Sequence, residues 1–112
     1  MVKKLPKISS EKIISIPELK KILEDIQAKR ELSSIERVTL EYATRHSKID
    51  YEKGENLKKE LLDYGLPEEV VVQIVNIMPK SIEEIRSILA PLSKVFTTDE
   101  IKKIKEIIEK YR

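Results

Sequence analysis

Cysteine and tryptophan are absent from this 112-residue chain, glycine occurs twice and histidine once. Without cysteine there is no disulfide, no Cys-type zinc site and no thiol nucleophile. The two glycines, Gly54 and Gly65, stand alone, so no glycine-rich loop cradles a phosphate. Aromatic residues are few: Phe96 and four scattered tyrosines. No basic-aromatic platform for stacking single-stranded bases is visible among them. Long apolar runs are missing too. The longest, Val70 to Met78, is interrupted by Gln73 and Asn76 and falls far short of the ~18 residues of a membrane span. Lys3, Lys4 and Lys7 have no apolar h-region behind them, so the N-terminus does not read as a secretory signal. These absences predict a soluble, cytoplasmic chain with no membrane partner.

Core-forming residues are abundant. Leu, Ile, Val and Phe number 11, 17, 7 and 1, whereas disordered chains usually hold fewer than about 20% of them together with a large net charge. Here the net charge is only +2, and the length suits one domain. Basic and acidic side chains are intermixed throughout. The sequence pI of 8.7 lies below the value above about 9 usual for a nucleic-acid-binding domain. Lys (17) and Glu (16) far exceed Arg (5) and Asp (4). That bias matches either a thermophile trend or an AT-rich genome, and both readings stay open.

Apolar residues recur at helical spacing, which predicts an all-α fold of about six short helices over residues 15–112. Ser15-Ile16-Pro17-Glu18 reads as a capping box opening the first helix, with Leu19, Ile22, Leu23 and Ile26 forming its stripe. Ser33-Ser34-Ile35-Glu36 opens a second, expected to turn Ile35, Val38, Tyr42 and Ala43 inward. Asp50 caps a third, which buries Leu57, Leu61 and Tyr64 and stops at Gly65. Pro67 opens a fourth over 67–78, apolar on nearly all sides and therefore central. Its valines and isoleucines would suit a strand equally well in isolation. Pro79 ends it. Ser81 with Glu84 starts a fifth helix, with Ile85, Ile88, Leu89 and Leu92 inward. Thr97 or Thr98 starts a sixth, repeating Ile101, Ile104, Ile108 and Tyr111. Lys102/Glu106, Lys105/Glu109 and Glu106/Lys110 are expected to pair along its outer face.

Residues 1–14 form a separate segment. Pro6 interrupts it, and Ile8, Ile13, Ile14 and Ile16 favour strand without helical spacing. Two readings remain open: a frayed tail, or an extended strand that adds to a partner's sheet edge. In the second, Ile8, Ile13, Ile14 and Ile16 belong to a partner interface.

Reactive chemistry is missing. His46, in Thr44-Arg45-His46-Ser47-Lys48, has neither cysteine nor a second histidine to share a metal, and its place near a helix end suits dipole compensation. Glu68/Glu69, Glu83/Glu84 and Asp99/Glu100 fall in first helical turns, where acids are expected electrostatically. A helix-turn-helix around Pro79-Lys80-Ser81 would turn Glu83 and Glu84 toward DNA, the wrong charge for base readout. No catalytic residue, cofactor or metal is assigned.

One set of motifs resembles a known family. Gly65-Leu66-Pro67-Glu68-Glu69, then Ile74-Val75-Asn76-Ile77-Met78-Pro79-Lys80-Ser81, then Glu84-Ile85-Arg86-Ser87-Ile88-Leu89 look like the F subunit of archaeal RNA polymerase, counterpart of the fourth subunit of eukaryotic RNA polymerase II. Ser15 to Leu23, Leu40-Glu41-Tyr42-Ala43 and the C-terminal Glu/Ile/Lys helix add weaker matches, so the resemblance covers about residues 15–112. Relatives often carry Thr-Pro where Ser81-Ile82 stands, and Pro91 falls where the fifth helix would continue. The resemblance implies a helical fold similar to the helicase-and-RNase-D C-terminal domain. It also implies a non-catalytic stalk subunit in a heterodimer with the polymerase's E subunit, the stalk partner that carries an oligonucleotide-binding barrel. Through this barrel subunit the chain would reach the polymerase core. Such a stalk positions the clamp, aids promoter opening with an initiation factor and handles the emerging RNA, mainly through the barrel. On that view Lys3, Lys4 and Lys7 are candidate RNA contacts. The competing reading is a free-standing helical nucleic-acid-binding module of the helicase C-terminal type, and a generic helical adaptor is a third.

Overall fold

The structure, a computed structural model, describes residues 13–112. Ile8, Lys3, Lys4 and Lys7 lie outside the described residues. Among the described residues six helices follow in order: α1 (Ile16–Gln27), α2 (Ser34–His46), α3 (Tyr51–Tyr64), α4 (Glu68–Ile77), α5 (Ile82–Leu89) and α6 (Thr98–Tyr111). No strand occurs among the described residues. The fold is all-α, as the helical spacing predicts.

Local chemistry fixes where the helices begin. Ser15, Ser33, Ser81 and Thr97 cap α1, α2, α5 and α6, each in a reciprocal box with the glutamate three residues on. The Asp50 carboxylate accepts from the Lys53 amide at 2.9 Å to start α3. Each such cap contributes about 1 kcal/mol. Gly65 closes α3 at φ 112°, a left-handed conformation that glycine adopts without steric cost. α5 ends at Leu89 with Ala90 as its C-cap, so Pro91 lies beyond the helix.

The core lies between α3, α4, α5 and α6. Leu57 and Leu61 of α3, Ile74 of α4, Ile85 of α5 and Ile104 and Ile108 of α6 are completely buried. Side chains of this size each gain about 1.5–3 kcal/mol on burial. α4 is flanked by α1, α3 and α5, which is why its β-branched residues are compatible with a helix: neighbours cover it on most sides. Only Gln73 and Ile77 of this helix, beyond its first turn, are exposed.

α4 ends unusually. Met78 takes a left-handed φ of 50°, which costs a side-chain-bearing residue roughly 1–2 kcal/mol. Arg112 offsets this. Its guanidinium donates to the Met78 carbonyl at 3.3 Å and the Pro79 carbonyl at 2.6 Å, while Glu109 holds it from the side at 3.0 Å.

α1 and α2 form a hairpin that reaches the core through α1. Two polar contacts fasten it. Glu18 meets Lys58 of α3 at 3.1 Å, and the Ile16 amide donates to the Asn76 side chain of α4 at 2.8 Å.

Several expectations need correction. Ile22 is 44% exposed rather than part of the inward stripe of α1. On α2 the inward row is Leu40 and Ala43, while Ile35, Val38 and Tyr42 face out. α2 packs chiefly on α1, and Leu40 and Ala43 are the row that finds cover. Tyr64 is half-exposed, its hydroxyl 3.5 Å from the Glu100 carbonyl. On α6, Lys110 pairs with Glu60 of α3 at 2.7 Å instead of Glu106, and Glu109 pairs with Arg112 instead of Lys105. A cross-helix carboxylate held at both oxygens is the better partner: Glu60 also accepts from Tyr111 at 2.7 Å.

Candidate partner-docking surface

The sequence offers no reactive constellation, and the described residues hold no group of three or more His, Cys, Asp and Glu able to hold a metal. His46 ends α2 with its ring 4.4 Å from that of Tyr42, an arrangement that packs two side chains. The open groove between α5 and α6, about 450 Å³, is lined by Ile82, Lys102, Lys105, Glu106 and Glu109. Its two lysines and two glutamates nearly cancel, so it concentrates no field for a charged ligand.

Exposed apolar side chains occur on the hairpin and elsewhere. Of eleven exposed large apolar residues among the described ones, Ile22, Ile35, Val38 and Tyr42 lie on the hairpin, Ile13 and Ile14 just before Ser15, and Tyr51, Leu62, Tyr64, Ile77 and Val95 elsewhere. Ile13 and Ile14 are 41% and 37% exposed and lie outside regular secondary structure. Ile16 differs from them. It is the first residue of α1, half-buried, with its amide committed to Asn76. The fold thus treats the three described isoleucines of the candidate interface differently. Two are displayed, one is bound into the helix start, and Ile8 lies outside the described residues.

Ile35, Val38 and Tyr42 escape notice as surface residues in the sequence, because helical spacing alone cannot distinguish a covered row from a bare one. A signal exists. α2 carries a second apolar row, Leu40 and Ala43, and a helix in a two-helix hairpin can cover only one.

Around the hairpin the charges are locally paired. Arg30 grips Glu36 in a two-pronged bond at 3.0 and 2.8 Å, which drives the Glu36 carboxyl down to about 2, helped by the Ser33 amide. Lys20–Glu24 and Lys21–Asp25 span single turns of α1 at 4.0 and 3.5 Å. This mixed rim has no basic stripe of the kind that grips phosphates.

Comparison with known proteins agrees with this picture. Residues 10–112 match the family described as RNA polymerase Rpb4. The DNA-directed RNA polymerase subunit Rpo4 of Methanocaldococcus jannaschii is 29% identical over 105 residues, covering 94% of this chain and 89% of that relative. The subunits of the same name from Sulfolobus acidocaldarius and Saccharolobus solfataricus are 31% and 32% identical over 93 residues, covering 82% of both chains in each comparison. A family match across nearly the full length, through the helical core and the hairpin alike, settles the relationship: the chain belongs to the RNA polymerase Rpb4 family.

Proposed function

We propose that this chain is a stalk subunit of an archaeal DNA-directed RNA polymerase, paired in a heterodimer with the barrel subunit. The single observation that carries the reading is the family match over residues 10–112. Membership makes the chain an accessory, non-catalytic polymerase subunit associated with the polymerase core. The finer assignment adds that the barrel subunit is the direct partner and that the pair helps position the clamp, open promoters and handle the emerging transcript.

Physical features support this reading. A buried, branched-chain core and four capped helix starts give a well-defined helical body on which a partner can rest. Its outer charges are mixed, and exposed apolar residues lie on the α1–α2 hairpin among other places, which suits protein contact. The chain is divided as 1–14, an extended segment contacting the partner, and 15–112, a single helical domain. In the assembled stalk Lys3, Lys4 and Lys7 touch RNA, while the barrel carries most of it.

Co-expression with the barrel subunit tests the pairing. Native mass spectrometry is expected to show one copy of each chain in a stable complex. A chain that stays alone beside a folded barrel subunit, or that binds RNA tightly unaided, contradicts the assignment.

A further inference from the structure

We infer that the α1–α2 hairpin is a flap, which swings off the α3–α6 body as a unit about Ser47 and Lys48 while that body stays folded. The inference does not rest on the pairing with a second subunit.

The core stops short of the hairpin. Among the described residues its contiguous buried cluster runs from Ile49 to Ile108 and takes no residue from α1 or α2. The hairpin has buried apolar side chains of its own, Leu23, Leu32 and Ala43, and they stand outside that cluster. α1 and α2 pack more extensively on each other than on any other helix. Two sets of apolar contacts, each satisfied within its own part, open at different free energies. Ala43 belongs to the hairpin and Ile49 to the core, so the boundary falls between them. There Ser47, with an extended backbone, and Lys48 lie in no helix, the kind of short element-terminal segment that absorbs a hinge rotation.

What joins the two parts is largely polar. Glu18 meets Lys58 at 3.1 Å, and the Ile16 amide donates to the Asn76 side chain at 2.8 Å. Pro17 adds apolar contact beside Gly54, 3.9 Å from where a Cβ on that glycine would stand. Two ions of a buried pair regain on separation the hydration they gave up, so parting them costs little net. Apolar side chains of the core lose their cover outright when it opens, at about 1.5–3 kcal/mol for each large one. The hairpin is therefore the cheaper part to open. Glu18 and Lys58 form its latch: shut, each ion depends on the other, and open, water serves both.

Native-state hydrogen exchange of the full chain, followed amide by amide in low urea, tests the flap. Amides of α1 and α2 are expected to share one opening equilibrium, at least ~10-fold more populated than that of the slowest amides of α3, α4 and α6. Its dependence on urea should be weaker, because less surface is exposed. Ile85→Val changes a side chain of the core cluster alone. It is expected to speed the slowest core amides by about 3–10-fold and to leave the hairpin amides as they were. Lys58→Met is expected to speed the hairpin amides on the order of 100-fold, since Glu18 then lacks its cation only in the shut form. Glu18→Gln added to it should slow them again. Hairpin amides that follow the same urea dependence as the core, or that Ile85→Val speeds as much as the core, overturn the inference. A hairpin untouched by Lys58→Met overturns the latch. A chain in which α3–α6 show no protection of their own overturns the whole, because the body then does not stand without the flap.

Discussion

Glu18 of α1 and Lys58 of α3 meet at 3.1 Å, each side chain only 10% exposed, although 40 residues separate them in sequence. The same Glu18 oxygen accepts from the Ser15 amide at 2.9 Å, so one carboxylate both starts α1 and fastens the hairpin to the core. Burial pushes the Glu18 carboxyl up, but the Ser15 amide and Lys58 together outweigh it and hold the group below its ordinary value.

Removing one partner of this pair is expected to be costly. Lys58→Met leaves Glu18 buried and charged without its cation, a loss of about 3 kcal/mol for a buried pair. Urea unfolding should show that drop, and Glu18→Gln added to Lys58→Met should recover part of it. Equal stability of wild type and Lys58→Met would show that the pair does not join hairpin and core.

Acid should loosen the contacts that several carboxylates make at helix starts and between helices. Arg30 and the Ser33 amide hold Glu36 at about 2, below its ordinary 4.5. The Lys80 and Ser81 amides lower Glu84, Lys110 and Tyr111 lower Glu60, and Arg112 lowers Glu109. A carboxyl whose folded value is depressed contributes stability that is complete above the unfolded value and fades as pH falls toward the folded one. Thermal unfolding should therefore be flat from pH 7 to about 5 and fall progressively between about 4.5 and 2. Added salt should shrink the Glu36 part, since Arg30 is exposed. A melting temperature unchanged at about pH 2.5 contradicts a stabilising role for these carboxylates.

The two glycines should respond in opposite directions. A Cβ on Gly54, inside α3, would lie 3.6 Å from both Ile49 and Val75, ordinary contact distance. Gly54→Ala is expected to stabilise by about 0.5–1 kcal/mol through helix propensity. Gly65, at φ 112°, meets no crowding but has the wrong backbone for alanine. Gly65→Ala should cost about 1 kcal/mol. Denaturation of both variants against wild type checks the sign of each.

The N-terminal segment is tested by deletion. Loss of residues 1–14 should weaken pairing with the barrel subunit, and unchanged affinity contradicts the partner role given to Ile8, Ile13 and Ile14. Replacing Lys3, Lys4 and Lys7 by glutamine in the complex should flatten the log–log salt dependence of RNA binding by up to ~2–3 units, at ~0.7 per single-strand phosphate contact.

Helix existence is legible in the chain because its causes are local. Ser15, Ser33, Ser81 and Thr97 each stand three residues before a glutamate, and Gly65 follows an apolar run. The central place of α4 is legible because Val70 to Met78 leaves almost no polar side. Other features depend on residues far apart. The Glu18–Lys58 and Ile16–Asn76 contacts join positions 40 and 60 residues distant, and neither pair carries a spacing signal. The strained Met78 is held by Arg112, 34 residues on, which no helical pattern announces. The outward facing of Ile35, Val38 and Tyr42 is hidden for a related reason. Which of two apolar rows is covered depends on where the neighbouring helices lie, and α2 packs chiefly on α1.

A non-catalytic subunit of the polymerase should be found where the polymerase is. Gradient sedimentation of an extract from the source cells, followed by quantitative detection of the chain and of the polymerase core, tests this most directly. Most of the chain is expected to sediment with the core in near-equimolar amount and to move to lighter fractions when the barrel subunit is absent. A chain found chiefly in the light fractions, while the barrel subunit and the core sediment together, contradicts it.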